Sequence, residues 1–163
     1  MTAEERTIQR DRMRYIKNSL SSNLAYLGIL ANVFYFVSIY MSDVDTYYYN
    51  YIIGISIVYN LVFMLAVFLS SEGVKNYKKN YSYLMAVIGV IQIVRIFIIP
   101  MNAHSTTTVV NGAEVVVMQD AQFIRVVVYL LISAACLIGS AAVNFIRCNE
   151  LDAHLKTLET QGA

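Results

Sequence analysis

Four long apolar stretches, three of them with an uncharged run of 21 residues or more and the other holding a single arginine, are separated by loops whose charge alternates, and they constrain this chain more than any other feature of its sequence. No residue is charged from Asn18 to Ser42, from Thr46 to Ser71, or from Val126 to Ile146. A helix needs about 20 predominantly apolar residues to cross about 30 Å of hydrocarbon. Spans over residues 22–42, 50–71, 81–101 and 122–147 meet that length. The segments are apolar on all sides, and such a helix lies in a large core or in lipid. A chain of 163 residues, 58% hydrophobic and 14% charged, has no core large enough for four of them. The expected fold is therefore all-α, one four-pass membrane domain over residues 1–163. Short connections make an up-down-up-down bundle the simplest arrangement.

Loop charge gives an orientation. Arg6, Arg10, Arg12, Arg14 and Lys17 precede the first span, Lys75, Lys78 and Lys79 follow the second, and Arg147 and Lys156 follow the fourth. The two remaining connections hold Asp43 and Asp45, and Glu114 and Asp120, with no Lys or Arg. Basic loops stay on the cytoplasmic side, so both termini are expected there, in a plasma-membrane-type bilayer, with the first span an uncleaved signal anchor. Segment 1–21 reads as a basic cytoplasmic start. Met13, Ile16, Leu20, Leu24 and Leu27 at helical spacing there suggest an interfacial helix or an extension of the first span. Segment 148–163 reads as a cytoplasmic tail, with Leu151, Leu155 and Leu158 on one short amphipathic helix. Tyrosines cluster at both ends, at Tyr40, Tyr47, Tyr48, Tyr49 and Tyr51 and at Tyr77, Tyr81 and Tyr83. An amphipathic ring suits the headgroup zone. Gly73 is the expected C-cap of the second span and Pro100 the stop of the third.

The third loop, 102–121, carries the clearest local signal. Thr106 to Val110 and Ala113 to Val117 flank Asn111-Gly112. A type I′ turn needs positive φ at both central residues, which Asn and Gly tolerate, and the flanking β-branched runs complete a hairpin. The hairpin should be extracytoplasmic. Thr108, Val110, Ala113, Val115 and Val117 share one face; Thr107, Val109, Glu114 and Val116 share the other. A lone hairpin is marginal in water, so it should dock on its own bundle, on lipid, or on a partner protein.

Inside the spans, polar and small residues recur at helical spacing: Ala25, Gly28, Asn32 and Tyr35; Ser56 and Asn60; Ala86, Gly89 and Gln92; and Ser133, Cys136, Ser140 and Asn144. Ala135 and Gly139 form a small-xxx-small pair. Small faces let helices approach and amides hydrogen-bond across the contact. Asn32, Asn60 and Gln92 fall near one depth, as bundle glue or as the lining of a polar path. Arg95 is the intramembrane charge that most needs a partner. It lies about 20 Å along the third span from Ser82 at 1.5 Å per residue, roughly 10 Å short of the outer boundary. A charge at that depth is a functional hypothesis by default. Its partner is sought among Gln92, Asn and Tyr oxygens, an outer Asp, water, a lipid phosphate, another subunit or an anionic substrate. Arg125 starts the fourth span and snorkels outward. Arg125, Asn111 and Gly112 mark the outer interface.

No Walker loop, nucleophile elbow or zinc-protease motif is present. Cys136 and Cys148 sit twelve residues apart on one helix and cannot bridge. His104 and His154 are isolated, so no metal site, no cofactor and no catalytic residue is expected. A net charge of +1 does not suit a nucleic-acid binder. The expectation is a non-catalytic membrane protein, in contact with membrane lipids and with other membrane subunits or its own copies. An accessory or structural subunit of a larger transport complex ranks first. A small self-assembling transporter or channel ranks second, and a lipid- or phosphate-binding protein third.

Overall fold

The computed structural model describes residues 2–5, 7, 18–39 and 47–161. Four long helices dominate: α1 (Ser19–Ile39), α2 (Tyr47–Lys75), α3 (Lys79–Ile98) and α5 (Asp120–Gln161), with a short α4 (Pro100–Ser105) and strands β1 (Thr107–Val110) and β2 (Ala113–Val116) before α5. Four stretches are long and apolar enough to cross a membrane: Ser19–Ile39, Gly54–Lys75, Lys79–Ser105 and Asp120–Thr157. The chain is a membrane-spanning helical protein. Most of 1–21, including Met13 and Ile16, and the first loop with Tyr40, Asp43 and Asp45 lie outside the described residues.

The helices pack with their small and polar faces inward. In α1, Ala25, Gly28, Asn32 and Tyr35 are buried, while Leu20, Leu27, Leu30 and Phe34 are about half exposed. That is the inverse of a water-soluble bundle. Lipid is as apolar as leucine, so close packing and hydrogen bonds, rather than burial of leucines, hold the helices together. α5 lies against α1 and α3, and α2 closes the other side of the same pair. The α1–α5 seam is fastened along its length: Ser21 with Ser140, Gly28 with Ser133, and Ser38 with Gln122. Two glycines set the spacing. A Cβ on Gly28 would lie 3.2 Å from the Leu137 side chain, and one on Gly89 would lie 2.7 Å from Ile138 Cγ1. Ala135 and Gly139, expected as the close-packing pair, do not form it: Ala135 is exposed and Gly139 faces only Leu24 at 4.0 Å.

Helix ends depart from the sequence reading at three places. Gly73 is not the C-cap of α2; the helix continues to Lys75, and Gly73 leaves room for the Tyr81 ring. Tyr77 takes the left-handed position instead, at φ 55°. Lys78 N donates to Gly73 O at 3.1 Å and Tyr77 N to Val74 O at 3.0 Å, the two bonds of a Schellman closure. Burial of the Tyr77 ring against Cys148 and Leu151 offsets a conformation that favours glycine. Pro100 does end α3, but it also opens α4, so residues 102–105 are helical rather than part of a hairpin loop. The tail is no separate helix: α5 runs unbroken over 42 residues through Leu151 and Leu155.

The hairpin register is Thr107–Val116, Thr108–Val115, Val109–Glu114 and Val110–Ala113. Asn111 and Gly112 have φ of 54° and 82°, as a type I′ turn requires. Its base docks on its own chain. Val117 N donates to Thr106 O at 2.9 Å, and Val117 and Met118 are buried with Tyr35, Ile39, Ala103, Val126 and Leu130. Thr108 and Val115 are half-buried; Val109, on the opposite face, is 66% exposed.

Candidate functional site

The polar faces of all four long helices meet in one layer. On α3, Gln92 and Arg95 lie three residues apart and so on one side of the helix. The Gln92 amide donates to Asn32 Oδ1 at 3.0 Å and to Ser133 Oγ at 3.4 Å, joining α3 to α1 and α5. Asn32 Nδ2 donates to Asn60 Oδ1 at 3.0 Å, joining α1 to α2. Arg95 closes the layer. Nη1 donates to Asn60 Oδ1 at 2.9 Å and more weakly to Asn32 Oδ1 at 3.5 Å, and Nη2 donates to Ser56 Oγ at 2.9 Å. Asn60 Nδ2 in turn reaches Ser56 Oγ at 3.3 Å.

Arg95 is only 4% exposed. Its guanidinium lies between two aromatic rings, Tyr35 at 4.2 Å and Tyr59 at 4.3 Å from Cζ to ring centroid. Ring faces are negative, so each ring attracts the cation, by about 2 kcal/mol when desolvated. The charge is thus solvated entirely by neutral groups: two amides, a hydroxyl and two rings. Among the described residues no carboxylate reaches it; Asp120, at the start of α5, is 91% exposed in its side chain and faces His104. Three buried polar atoms in the layer lack a well-formed hydrogen bond: Arg95 Nε, Tyr35 Oη and Gln92 Oε1. Tyr35 Oη nevertheless lies within hydrogen-bonding reach of Ser56 and Arg95, in looser geometry than the bonds above.

Apolar clusters seal the layer on both sides. Toward the Lys75–Lys79 end sit Ala25, Phe63, Val67, Met85, Ile88 and Leu137. Toward the hairpin end sit Ile39, Ala103, Val117, Met118, Val126 and Leu130. Beyond the first cluster a separate polar group ties helix ends together. Asn144 Nδ2 donates to Ser82 Oγ at 2.6 Å, Asn144 Oδ1 accepts from Asn18 at 3.0 Å, and Asn18 also donates to Val74 O. Ser21 and Ser140 exchange hydrogen bonds beside it.

Of the residues singled out in the sequence, Asn32, Asn60, Gln92 and Arg95 therefore assemble into one site. Asn144 belongs to the second group. Arg125, Asn111 and Gly112 are exposed and apart from both. Gln92, considered a partner for Arg95, instead bonds Asn32 and Ser133. Tyr35 was legible only as a face residue, and Tyr59 was missed; its signal is an aromatic one residue before Asn60 and three after Ser56. His104 is not a free loop residue. Its ring stacks on Phe123 at 4.6 Å between centroids, and Nδ1 donates to Met118 O at 3.1 Å, fastening α4 to the start of α5.

The layer offers hydrogen bonds and one fixed positive charge. Among the described residues it contains no carboxylate, imidazole or thiolate to move a proton or attack a substrate. Among the described residues no group of three or more His, Cys, Asp and Glu could hold a metal ion, and both cysteines are free. No family model, curated protein or solved structure matches the chain.

Proposed function

We propose that this chain is a non-catalytic integral membrane protein that serves as an accessory or structural subunit of a larger membrane assembly, with transport the leading context. The observation that carries the reading is the sealed polar layer. Chemically versatile groups of the spans point inward and bond one another, and apolar clusters close them off at both ends. Such an interior fixes helix positions and leaves the outer faces for association. Arg95 is then an internal fastener rather than a direct contact to a partner.

Two outer surfaces suit a partner. The face of α2 carrying Val58, Leu61, Val62 and Leu65 is 60–63% exposed along its length. The hairpin presents Val109 and Val116 beside polar residues, on a segment outside the spans. In the proposed topology the bundle runs up-down-up-down. Both termini and the Lys75–Lys79 turn face the cytoplasm, and the hairpin lies on the opposite side of a plasma-membrane-type bilayer. The distribution of Lys and Arg supports this orientation.

The test is site-specific photocrosslinking in the source membrane, with a photoreactive residue at Val62 or Val109. A discrete adduct to one foreign membrane chain is expected at one or both. Labelling of lipid alone at both positions would contradict the subunit role. The second reading is a small self-assembling transporter or channel lined by Asn32, Asn60, Gln92 and Arg95. It draws on the meeting of all four helices in one polar layer. It predicts solute flux in liposomes holding this chain alone.

A further inference from the structure

The hairpin leaves the backbone of one strand edge unpaired. In an antiparallel pair, residues that exchange both backbone bonds alternate with residues that exchange none. The two-residue turn makes Val110–Ala113 a bonded pair. Thr108–Val115 is then bonded as well, and Val109–Glu114 and Thr107–Val116 are not. The bond from Val117 N to Thr106 O at 2.9 Å keeps that phase. The N–H and C=O groups of Thr107 and Val109 therefore point away from β2, and among the described residues no backbone group meets them. Both residues are exposed, Val109 by 66%. β1 reads Thr-Thr-Val-Val, with neither the charge nor the proline that commonly guards an open edge. β2 differs: it lies beside α4, and Glu114 sits at its edge.

We propose that β1 pairs edge to edge with β1 of a second copy of this chain, joining two hairpins in one sheet and two bundles in a dimer. An edge of unpaired N–H and C=O groups takes an extended strand. Charge selects the copy's own β1: the strand is uncharged, so pairing with itself opposes no like charges, whereas two β2 edges would bring Glu114 close to its counterpart. Symmetry selects the same occupant. Two identical antiparallel strands are related by a two-fold axis perpendicular to their sheet. Two copies inserted the same way in a membrane are related by a two-fold axis along its normal. The two axes coincide when the sheet lies with one face on the bundle end. The face with Thr108, Val115 and Val117 is the more buried one, and Val117 sits among Tyr35, Ile39 and Val126. Thr107, Val109, Glu114 and Val116 on the other face are exposed. The register that uses both open residues puts the axis at Thr108. Thr107 of each copy then exchanges both backbone bonds with Val109 of the other, and the two Thr108 side chains meet. The pairing is independent of the subunit role and leaves the exposed α2 face to a foreign chain.

Disulfide trapping of the full chain in its source membrane, with copper phenanthroline as oxidant, tests it. Opposed Cα atoms in a non-bonded antiparallel pair lie about 4.5 Å apart, within the reach of a disulfide. Thr108→Cys should therefore give an adduct of twice the chain mass. The unsubstituted chain, with its two free cysteines on α5, sets the background. Gly112→Cys is the comparison. An axis at Thr108 holds its two copies more than about 20 Å apart at about 3.3 Å per residue, so its yield should be at least roughly tenfold lower. Val109→Pro deletes an N–H that the hairpin itself does not use, and an edge strand accepts proline on that side. Added to Thr108→Cys, it should lower the yield by at least roughly tenfold while thermal unfolding of the bundle stays unchanged. Equal yields at positions 108 and 112, or a Thr108→Cys yield untouched by Val109→Pro, would overturn the proposal. An adduct to a foreign chain in place of the homodimer would overturn the choice of a second copy.

Discussion

Replacing Asn60 by Leu removes the group on which the polar layer turns. Asn60 Oδ1 accepts from both Arg95 Nη1 at 2.9 Å and Asn32 Nδ2 at 3.0 Å. Stranding one partner of a buried charge costs about 3–5 kcal/mol in water-soluble proteins. Two features lower that here. Arg95 retains Ser56 at 2.9 Å and Asn32 at 3.5 Å. In membranes the unfolded reference also finds partners, so single interhelical bonds average about 0.6 kcal/mol and reach about 1.7. The expected loss for Asn60→Leu is about 2–3 kcal/mol, measured by reversible unfolding in mixed detergent micelles. The companion Arg95→Leu removes the charge that needed Asn60. The double replacement should therefore fall short of the sum of the singles by about 1–2 kcal/mol, the coupling expected of residues in one network. A single-replacement effect below about 0.5 kcal/mol, or strict additivity, would refute the account of Arg95 as a cation solvated by this layer.

Glycines separate packing from propensity: Gly54→Ala should stabilise by up to about 1 kcal/mol, since nothing lies near its Cβ. Gly89→Ala should instead cost about 1–3 kcal/mol by forcing Ile138 aside, and the same unfolding assay reads both. At the hairpin, Gly112→Ala places a side chain at φ 82° and should speed amide exchange across residues 107–116, leaving the helices unchanged. For the topology, a cysteine in place of Gly112 should react with an impermeant thiol reagent on intact cells, and one in place of Lys78 only after permeabilisation; the opposite pattern would invert the proposed orientation.

Much of this fold is written plainly in the chain. Four long apolar stretches give the spans, and Asn-Gly between β-branched runs gives the hairpin and its turn. The inward faces of α1 and α2 follow from the spacing of Ala25, Gly28, Asn32 and Tyr35 and of Ser56 and Asn60. What the spacing could not give is which faces meet. Ala135 and Gly139 carry the pattern of a close contact, but Gly28 and Gly89 make it, because contact depends on how α5 rotates against two neighbours at once. Gly73 carries the signature of a cap, but it is needed as a notch for Tyr81, so the left-handed residue moves four positions to Tyr77. Arg95 was legible as a charge in need of a partner. Its solvation by two rings was not, since Tyr35 and Tyr59 come from helices whose relative depth only the assembled bundle sets.

The subunit role is tested most directly by native mass measurement of the protein extracted gently from its source membrane, with every co-purifying chain identified. A stoichiometric foreign membrane chain is the expected result. Recovery of only a monomer or a homo-oligomer would contradict it.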